Sequence, residues 1–208
     1  MSKITIEEKF VKNTYNNIAK QFDKTRYRPW SCIEKFLDKI SPYSIISEIG
    51  CGSGKNMFYR SDCEFYGCDF SIELVKICLE KKLNVIEGDI LDIPYSDEMF
   101  DYTLCIAVLH HLSTEEKRIK AISELIRITK KGGQILILVW ALKQPKDSKR
   151  KFITQDNYVN WEDKHKNLLG KRYYYVFDDD ELKSLIPKNI KIIKYFYERG
   201  NWGIILEK

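Results

Sequence analysis

The sequence predicts an α/β fold: a mostly parallel seven-stranded sheet, its last strand antiparallel, with helices on both faces. Three observations predict it. From residue 44 onward strand-like runs at 44–49, 64–68, 83–87, 101–106 and 133–140 alternate with helical patterns from about 54, at 72–82 and at 114–129. The first of these runs, Ile45–Ile49, leads directly into Gly50-Cys51-Gly52-Ser53-Gly54, a glycine turn at a strand's carboxyl end. The chain closes with strands at 190–197 and 202–207 joined by Glu198-Arg-Gly-Asn201, a tight polar turn suited to a hairpin.

Ahead of the alternation, Ile4, Val11, Tyr15, Ile18 and Phe22 form one helical stripe. Pro29 suits a first helical turn and opens a second helix carrying Trp30, Ile33, Phe36, Leu37 and Ile40, which Ser41-Pro42 stops. Together they make an N-terminal helical extension over about 1–42, with a polar and aromatic connector from Asp23 to Trp30. The helix at 114 starts with a capping box, Ser113-Thr-Glu-Glu116, and stops at Lys130-Lys131-Gly132-Gly133. Residues 143–171 break the rhythm as a polar insertion, with five basic residues between Lys143 and Lys151. A loop that long inside a compact domain is usually functional. A helix at about 178–186 precedes the closing strands, and one domain spans 1–208.

The 208 residues are enough for one full core, and 44% hydrophobic with 31% charged content excludes a disordered chain. The N-terminus carries early acids and no apolar run, unlike a signal peptide, and no stretch reaches the roughly 18–20 apolar residues of a membrane span. Six cysteines without a C-x-x-C pair read as buried thiols of a reducing compartment, which implies a cytoplasmic or nuclear location. A metal site is not expected, because His110 and His111 have only His165 as a further histidine and no carboxylate pair at ligand spacing.

The glycine turn separates two cofactor classes. A dinucleotide fingerprint, counted from Gly50, places its third glycine at Lys55. The pattern present is Glu48-x-Gly50-x-Gly52-x-Gly54, which resembles the S-adenosylmethionine site of Rossmann-like class I methyltransferases. That resemblance implies cofactor contacts from Glu48, Gly50, Cys51, Gly52 and Gly54, with Asp69 on the ribose, 21 residues beyond Glu48. It also implies Asp89 and Ile90 beside the adenine, and Ala107 at the end of the fourth strand. His110 and His111 follow at the sheet edge where substrate meets cofactor. Adjacent strand residues face opposite ways, so His111 is assigned to the substrate and His110 to packing beside it.

A closer resemblance covers nearly the whole chain. Tyr15-Asn-Asn-Ile-Ala, Thr25-Arg-Tyr-Arg-Pro-Trp30, Ile106-Ala-Val-Leu-His-His111, Gly132–Leu142, Arg172-Tyr-Tyr-Tyr-Val-Phe177 and Arg199-Gly-Asn-Trp202 carry it. On these stretches the chain resembles the eukaryotic tRNA wobble-uridine carboxymethyl methyltransferases. Members of that family esterify the carboxylate of 5-carboxymethyluridine and depend on a small zinc-containing activator protein. The resemblance implies tRNA and that activator as partners, in a heterodimer, with the activator docking on the strand at 83–87 and covering Ile86, Ile90 and Ile93.

A carboxylate is already nucleophilic at neutral pH, so the reaction needs placement and an orienting cation more than a base. Arg26 or Arg28 is expected to grip it bidentately. Arg26, Tyr15 and His111 form the expected catalytic set. Tyr27, Arg28, Trp30, His110, Trp140, Arg172, Tyr175 and Asn201 form the expected substrate-binding set. Tyr175 stands where many members carry histidine, and Gln144–Lys171 matches the family poorly. The basic insertion, with Lys164, Lys166, Lys171 and Arg172, is a candidate phosphate footprint, and Tyr158, Trp161 and Tyr173–Tyr175 could stack a base. Two other readings stay open: a small-molecule carboxyl or O-methyltransferase on the same fold, and a non-catalytic scaffold subunit.

Overall fold

A computed structural model describes residues 4–25 and 28–208. A π-helical turn, Glu8–Lys12, leads into α1 (Asn13–Asp23), and α2 (Ser31–Leu37) follows. β1 (Ile45–Ile49), a 3-10 turn (Lys55–Phe58), β2 (Glu64–Asp69), α3 (Ile72–Glu80) and β3 (Asn84–Glu87) form the first half of the sheet. β4 (Phe100–Ile106), a 3-10 turn (Leu109–His111), α4 (Glu115–Ile128) and β5 (Thr129–Trp140) continue it. A separate hairpin, β6 (Asp156–Glu162) and β7 (Leu168–Tyr175), precedes α5 (Glu181–Ser184), β8 (Lys191–Glu198) and β9 (Asn201–Glu207).

The seven-stranded sheet runs β3-β2-β1-β4-β5-β9-β8. Its first five strands are parallel, and β9 is antiparallel to both neighbours, β5 and β8. The turn between β8 and β9 holds Arg199 and Gly200 at φ 46° and 81°, the two positive values of a primed hairpin turn. The period of two on β5 divides the core. Leu136 and Leu138 pack with Ile33 and Leu37 of α2 and with Val75 and Cys78 of α3. Ile135, Ile137 and Val139 pack with Ile122, Leu125 and Ile128 of α4 and with Leu182 of α5. Each such side chain, fully buried, contributes about 1.5–3 kcal/mol. The order reverses between β1 and β4, and that crevice at the strands' carboxyl ends is where open α/β sheets bind ligands.

The structure revises several expected elements. The capping residue of α4 is Thr114, whose hydroxyl accepts from the Lys117 amide at 3.3 Å. Ser113 instead gives its amide and hydroxyl to the buried Glu7 at 2.8 and 2.7 Å. α4 runs without a glycine stop into β5, which contains Gly132 and Gly133. The insertion is not a loop throughout, because its second half is the β6–β7 hairpin. That hairpin lies on α1: the Thr14 hydroxyl donates to the Lys171 carbonyl at 2.8 Å, and the Trp161 indole donates to Gln21 at 3.2 Å.

Four polar clips fix the N-terminal helical segment over the sheet's edge. Glu7 takes Ser113 and Lys117, Lys12 pairs with Glu87, Asn16 accepts from the Ser71 hydroxyl, and Asp23 accepts from Lys81. Among the described residues no helix is long and apolar enough to cross a membrane.

Candidate functional site

The glycine turn after β1 is held by its own backbone. The amides of Gly50 and Cys51 both donate to the Cys68 carbonyl at the end of β2, at 2.7 and 3.1 Å. The Gly52 amide donates to the Asp69 carboxylate at 2.7 Å. Gly50 and Gly52 sit at φ 73° and 58°, and a Cβ on Gly50 would lie 2.2 Å from a methyl of Val108. Only glycine keeps this floor open at that conformation. Beneath it, Glu48 is buried and one carboxylate oxygen accepts from the Asn56 amide at 2.5 Å. Its other oxygen, Oε2, is buried with no hydrogen-bond partner. Burial pushes the Glu48 carboxyl up to about 7, with the Asn56 bond pulling the other way. A buried acid half-satisfied in this way is completed by a cation. Asp69 is pushed up to about 6, again by burial, against the amides of Ser71 and Gly52 that hold it ionised. Asp89 turns its own loop by accepting from the Leu91 amide at 2.9 Å.

This cradle opens into a cavity of about 670 Å³ whose far end is aromatic and cationic. Trp140, at the end of β5, stacks on Tyr174 of β7 with ring centres 4.1 Å apart and planes 7° from parallel. The Arg150 guanidinium lies 3.9 Å over the Trp140 ring. His110 is buried, and its Nδ1 accepts from the Trp140 amide at 3.1 Å. The His111 Nδ1–H donates to the Tyr173 carbonyl at 2.7 Å, which leaves Nε2 to accept from the Tyr15 hydroxyl at 3.0 Å. Burial holds both imidazoles neutral: His110 falls well below its ordinary range and His111 to about 3. Arg172 of β7 lines the same end, buried between Trp161 and Tyr174.

Comparison with known proteins places this arrangement. A family model described as a methyltransferase domain matches residues 47–137. The tRNA (carboxymethyluridine(34)-5-O)-methyltransferase of Schizosaccharomyces pombe is 37% identical over 227 aligned residues, covering 99% of each chain. The chain belongs to the tRNA carboxymethyluridine methyltransferase family. A Xenopus tropicalis relative of the same description, alkbh8, is 32% identical over 98% of this chain but only 41% of its own length, so this chain spans under half of that longer protein. A solved S-adenosylmethionine-dependent methyltransferase from Aquifex aeolicus has the same fold, with a TM-score of 0.64 at 18% identity, over 92% of this chain and 97% of that one. So does a chain in the solved complex between the Haloferax volcanii Trm112 methyltransferase activator and a methyltransferase, with a TM-score of 0.63 at 13% identity, over 95% of this chain and 96% of that one.

In this methyltransferase that one cavity, among the described residues, gathers most of those expected from sequence. Tyr15, Arg28, Trp30, Glu48, Gly50, Cys51, Gly52, Asp69, Asp89, Ile90, Ala107, His110, His111, Trp140, Arg172 and Asn201 all line it. Arg26 and Tyr27 lie outside the described residues. Gly54 does not reach the cavity: it starts the 3-10 turn at φ 76°, where a Cβ would meet Leu83 at 2.3 Å. Tyr175 does not reach it either. Its ring lies under the Arg118 guanidinium, 3.6 Å away, and its hydroxyl donates to Glu181. Arg172 and Tyr174 share one face of β7, so Tyr175 must face away from them.

His110 and His111 do not alternate. They sit on a 3-10 turn and both line the cavity. Asn56, which holds Glu48, was not expected; Tyr174 was expected only as one of three tyrosines that could stack a base and Arg150 only within the basic run, yet the two sandwich Trp140. The period of two from Arg172 was the available signal for Tyr174. Arg28 stands at the mouth, mostly exposed, with Glu34 at 3.8 Å.

Proposed function

We propose that this chain transfers the methyl group of S-adenosylmethionine to the carboxylate of 5-carboxymethyluridine at the tRNA wobble position. One observation carries the reading: a single cavity joins the glycine cradle to the chamber of Tyr15, His111, Trp140, Tyr174 and Arg172. The chain in which it occurs is related end to end to a carboxymethyluridine methyltransferase. The residues present fit the cofactor. The unpartnered oxygen of Glu48 suits an ammonium, the bare floor at Gly50 and Gly52 admits close approach, and Asp69 can accept from ribose hydroxyls. When bound, S-adenosylmethionine supplies an electrophilic methyl on a sulfonium. Neutral His110 and His111 leave the substrate carboxylate unprotonated, so its lone pair stays available. The stack of Arg150, Trp140 and Tyr174 gives that end of the cavity an aromatic and cationic wall.

The insertion is basic. Lys146, Lys149, Arg150, Lys151, Lys164, Lys166 and Lys171 are exposed on it, a footprint suited to RNA phosphates. Neither a small-molecule methyltransferase nor a scaffold needs this basic surface together with the intact cradle. The test is methyl transfer to tRNA bearing 5-carboxymethyluridine. Ester formation on that tRNA, and none on tRNA with unmodified uridine, is the expected result. Transfer only to small carboxylic acids would reject it.

For the activator we infer docking by strand addition at β3, the terminal strand of the sheet. Ile86 is exposed there at 39%, and Leu79 of the adjoining α3 at 54%. Ile90 and Ile93 take no part, because both are buried in the core under α4. Ile86→Lys is expected to weaken the heterodimer by about tenfold or more while leaving the free chain folded. Copurification of the variant with the activator at wild-type yield would place the interface elsewhere.

A further inference from the structure

Arg172 carries a charge that nothing in the described structure balances. It is 5% exposed, and its Nε is buried without a hydrogen-bond partner. No acid among the described residues pairs with it. The rings of Trp161 and Tyr174, 4.7 and 5.2 Å from its Cζ, and the hydroxyl of Tyr15 hold the guanidinium in place without balancing its charge. A guanidinium cannot escape burial by losing its proton, and an unpaired buried charge is strongly unfavourable unless an anion completes it. Burial alone does not make a site. Arg118 is also buried with an unpartnered Nε, but it donates to the Leu112 carbonyl at 2.9 Å, covers Tyr175 and lies away from the cavity. Arg172 opens into the cavity beside Tyr15 and His111. Arg28, the described arginine of the expected carboxylate grip, is 84% exposed at the mouth, where a charge is screened.

We propose that Arg172 is the specificity-determining residue that recognises the substrate carboxylate, holding the acid and releasing the ester. The assignment rests on the functional reading above. In the transfer a carboxylate oxygen bonds to the methyl carbon while the carbon–sulfur bond breaks, its electron pair staying on sulfur. No proton moves, and the carboxylate's negative charge disappears. The anion that completes Arg172 is therefore present in the substrate and absent from the product. A charge-assisted fork favours the first and gives the second no comparable hold. Delivery from β7 also places this selectivity on the inserted hairpin, apart from the strands that carry the cofactor cradle.

The test uses the full chain with its activator and three anticodon stem–loop RNAs. Their wobble uridines carry the carboxymethyl acid, the isosteric carboxamide or the methyl ester. Wild-type protein is expected to prefer the acid over the amide and the ester by about 10- to 100-fold in binding. In Arg172→Gln that preference falls to within about twofold, while S-adenosylhomocysteine affinity, read by calorimetry, is unchanged. Arg172→Lys, which keeps the charge without the fork, retains an intermediate preference. Acid preference retained in Arg172→Gln, or no acid preference in the wild type, overturns the assignment. If Arg172→Gln does not fold, Arg172→Lys decides: a full wild-type preference overturns it. Absence of transfer to carboxymethyluridine RNA by the wild type would remove the functional reading itself. Transfer with unaltered selectivity in the variants removes only the role of Arg172.

Discussion

Glu48→Gln should raise the melting temperature of the cofactor-free protein above pH 7 and, in the same variant, abolish S-adenosylmethionine binding. Both effects come from one buried charge. Burial lifts the Glu48 carboxyl to about 7 from an ordinary value of 4.5, against the Asn56 hydrogen bond. The folded state therefore keeps a proton that the unfolded chain releases between those two values. Stability falls as pH rises through that window, and above pH 7 the ionised carboxylate costs the fold about 3 kcal/mol. Glutamine removes the charge and still accepts from Asn56. It cannot balance an ammonium, so cofactor affinity should drop by at least about a hundredfold. The wild type should also bind cofactor about tenfold more weakly for each pH unit below 7, because the acid must first lose its proton. Calorimetry across pH 5.5–8 on both proteins checks this. A wild-type affinity flat over that range would contradict the cation-binding role of Glu48.

The cradle was legible because its determinants are local. A run of apolar residues ending in an acid and three glycines specifies both a strand and a turn with positive φ, and Gly50, Gly52 and Gly54 all adopt it. The same holds for Arg199-Gly200 between the last two strands. The histidine pair failed for the opposite reason. Ala107 takes φ 62°, its amide still donating to the Leu138 carbonyl at 2.8 Å, and so ends β4 before His110. A positive φ at an alanine is imposed by tertiary packing, and no residue type announces it. Strand alternation therefore did not apply to His110 and His111, and the 3-10 turn brings both to the cavity.

The β6–β7 hairpin was hidden by polarity. β6 alternates between exposed and half-buried residues, and nothing on it is fully buried. Its rings reach partners outside the hairpin, on opposite faces: Tyr158 meets Phe10 of the π-helical turn, and Trp161 lies near Phe22 of α1. A strand with so little core of its own reads as loop among the surrounding lysines. Missing it removed the rule that would have chosen Tyr174 over Tyr175. The substrate end was thus less legible than the cofactor end, because it is assembled from five separate segments: α1, the His110-His111 turn, the end of β5, the loop carrying Arg150, and β7.

Tyr15→Phe should lower the rate of methyl transfer by about 10- to 100-fold with little change in tRNA affinity. The argument starts from a tautomer. His111 spends its Nδ1–H on the Tyr173 carbonyl, and burial keeps the ring neutral down to about pH 3. Nε2 is then an acceptor, and the Tyr15 hydroxyl must be its donor. Tyr15 is thereby prevented from donating to a substrate carboxylate, where a donated proton would weaken the nucleophile. Its oxygen is left to accept from the Arg172 guanidinium at the transfer end of the cavity. The folded His111 pKa lies far below its ordinary 6.5, so with S-adenosylmethionine kept saturating at every pH, which removes the Glu48 dependence of binding, the rate should show no limb near 6.5. Acid sensitivity should enter through stability instead. Between pH 6.5 and 3 the unfolded chain takes up a proton that folded His111 refuses, so stability falls as pH drops through that range. Phenylalanine leaves Nε2 without its donor and the Arg172 guanidinium without that oxygen. Single-turnover methyl transfer on carboxymethyluridine tRNA from pH 5.5 to 8.5 measures both points. A wild-type rate that titrates near 6.5, or a Tyr15→Phe protein of undiminished rate, would show that the proton of Tyr15 is not committed to His111 during transfer.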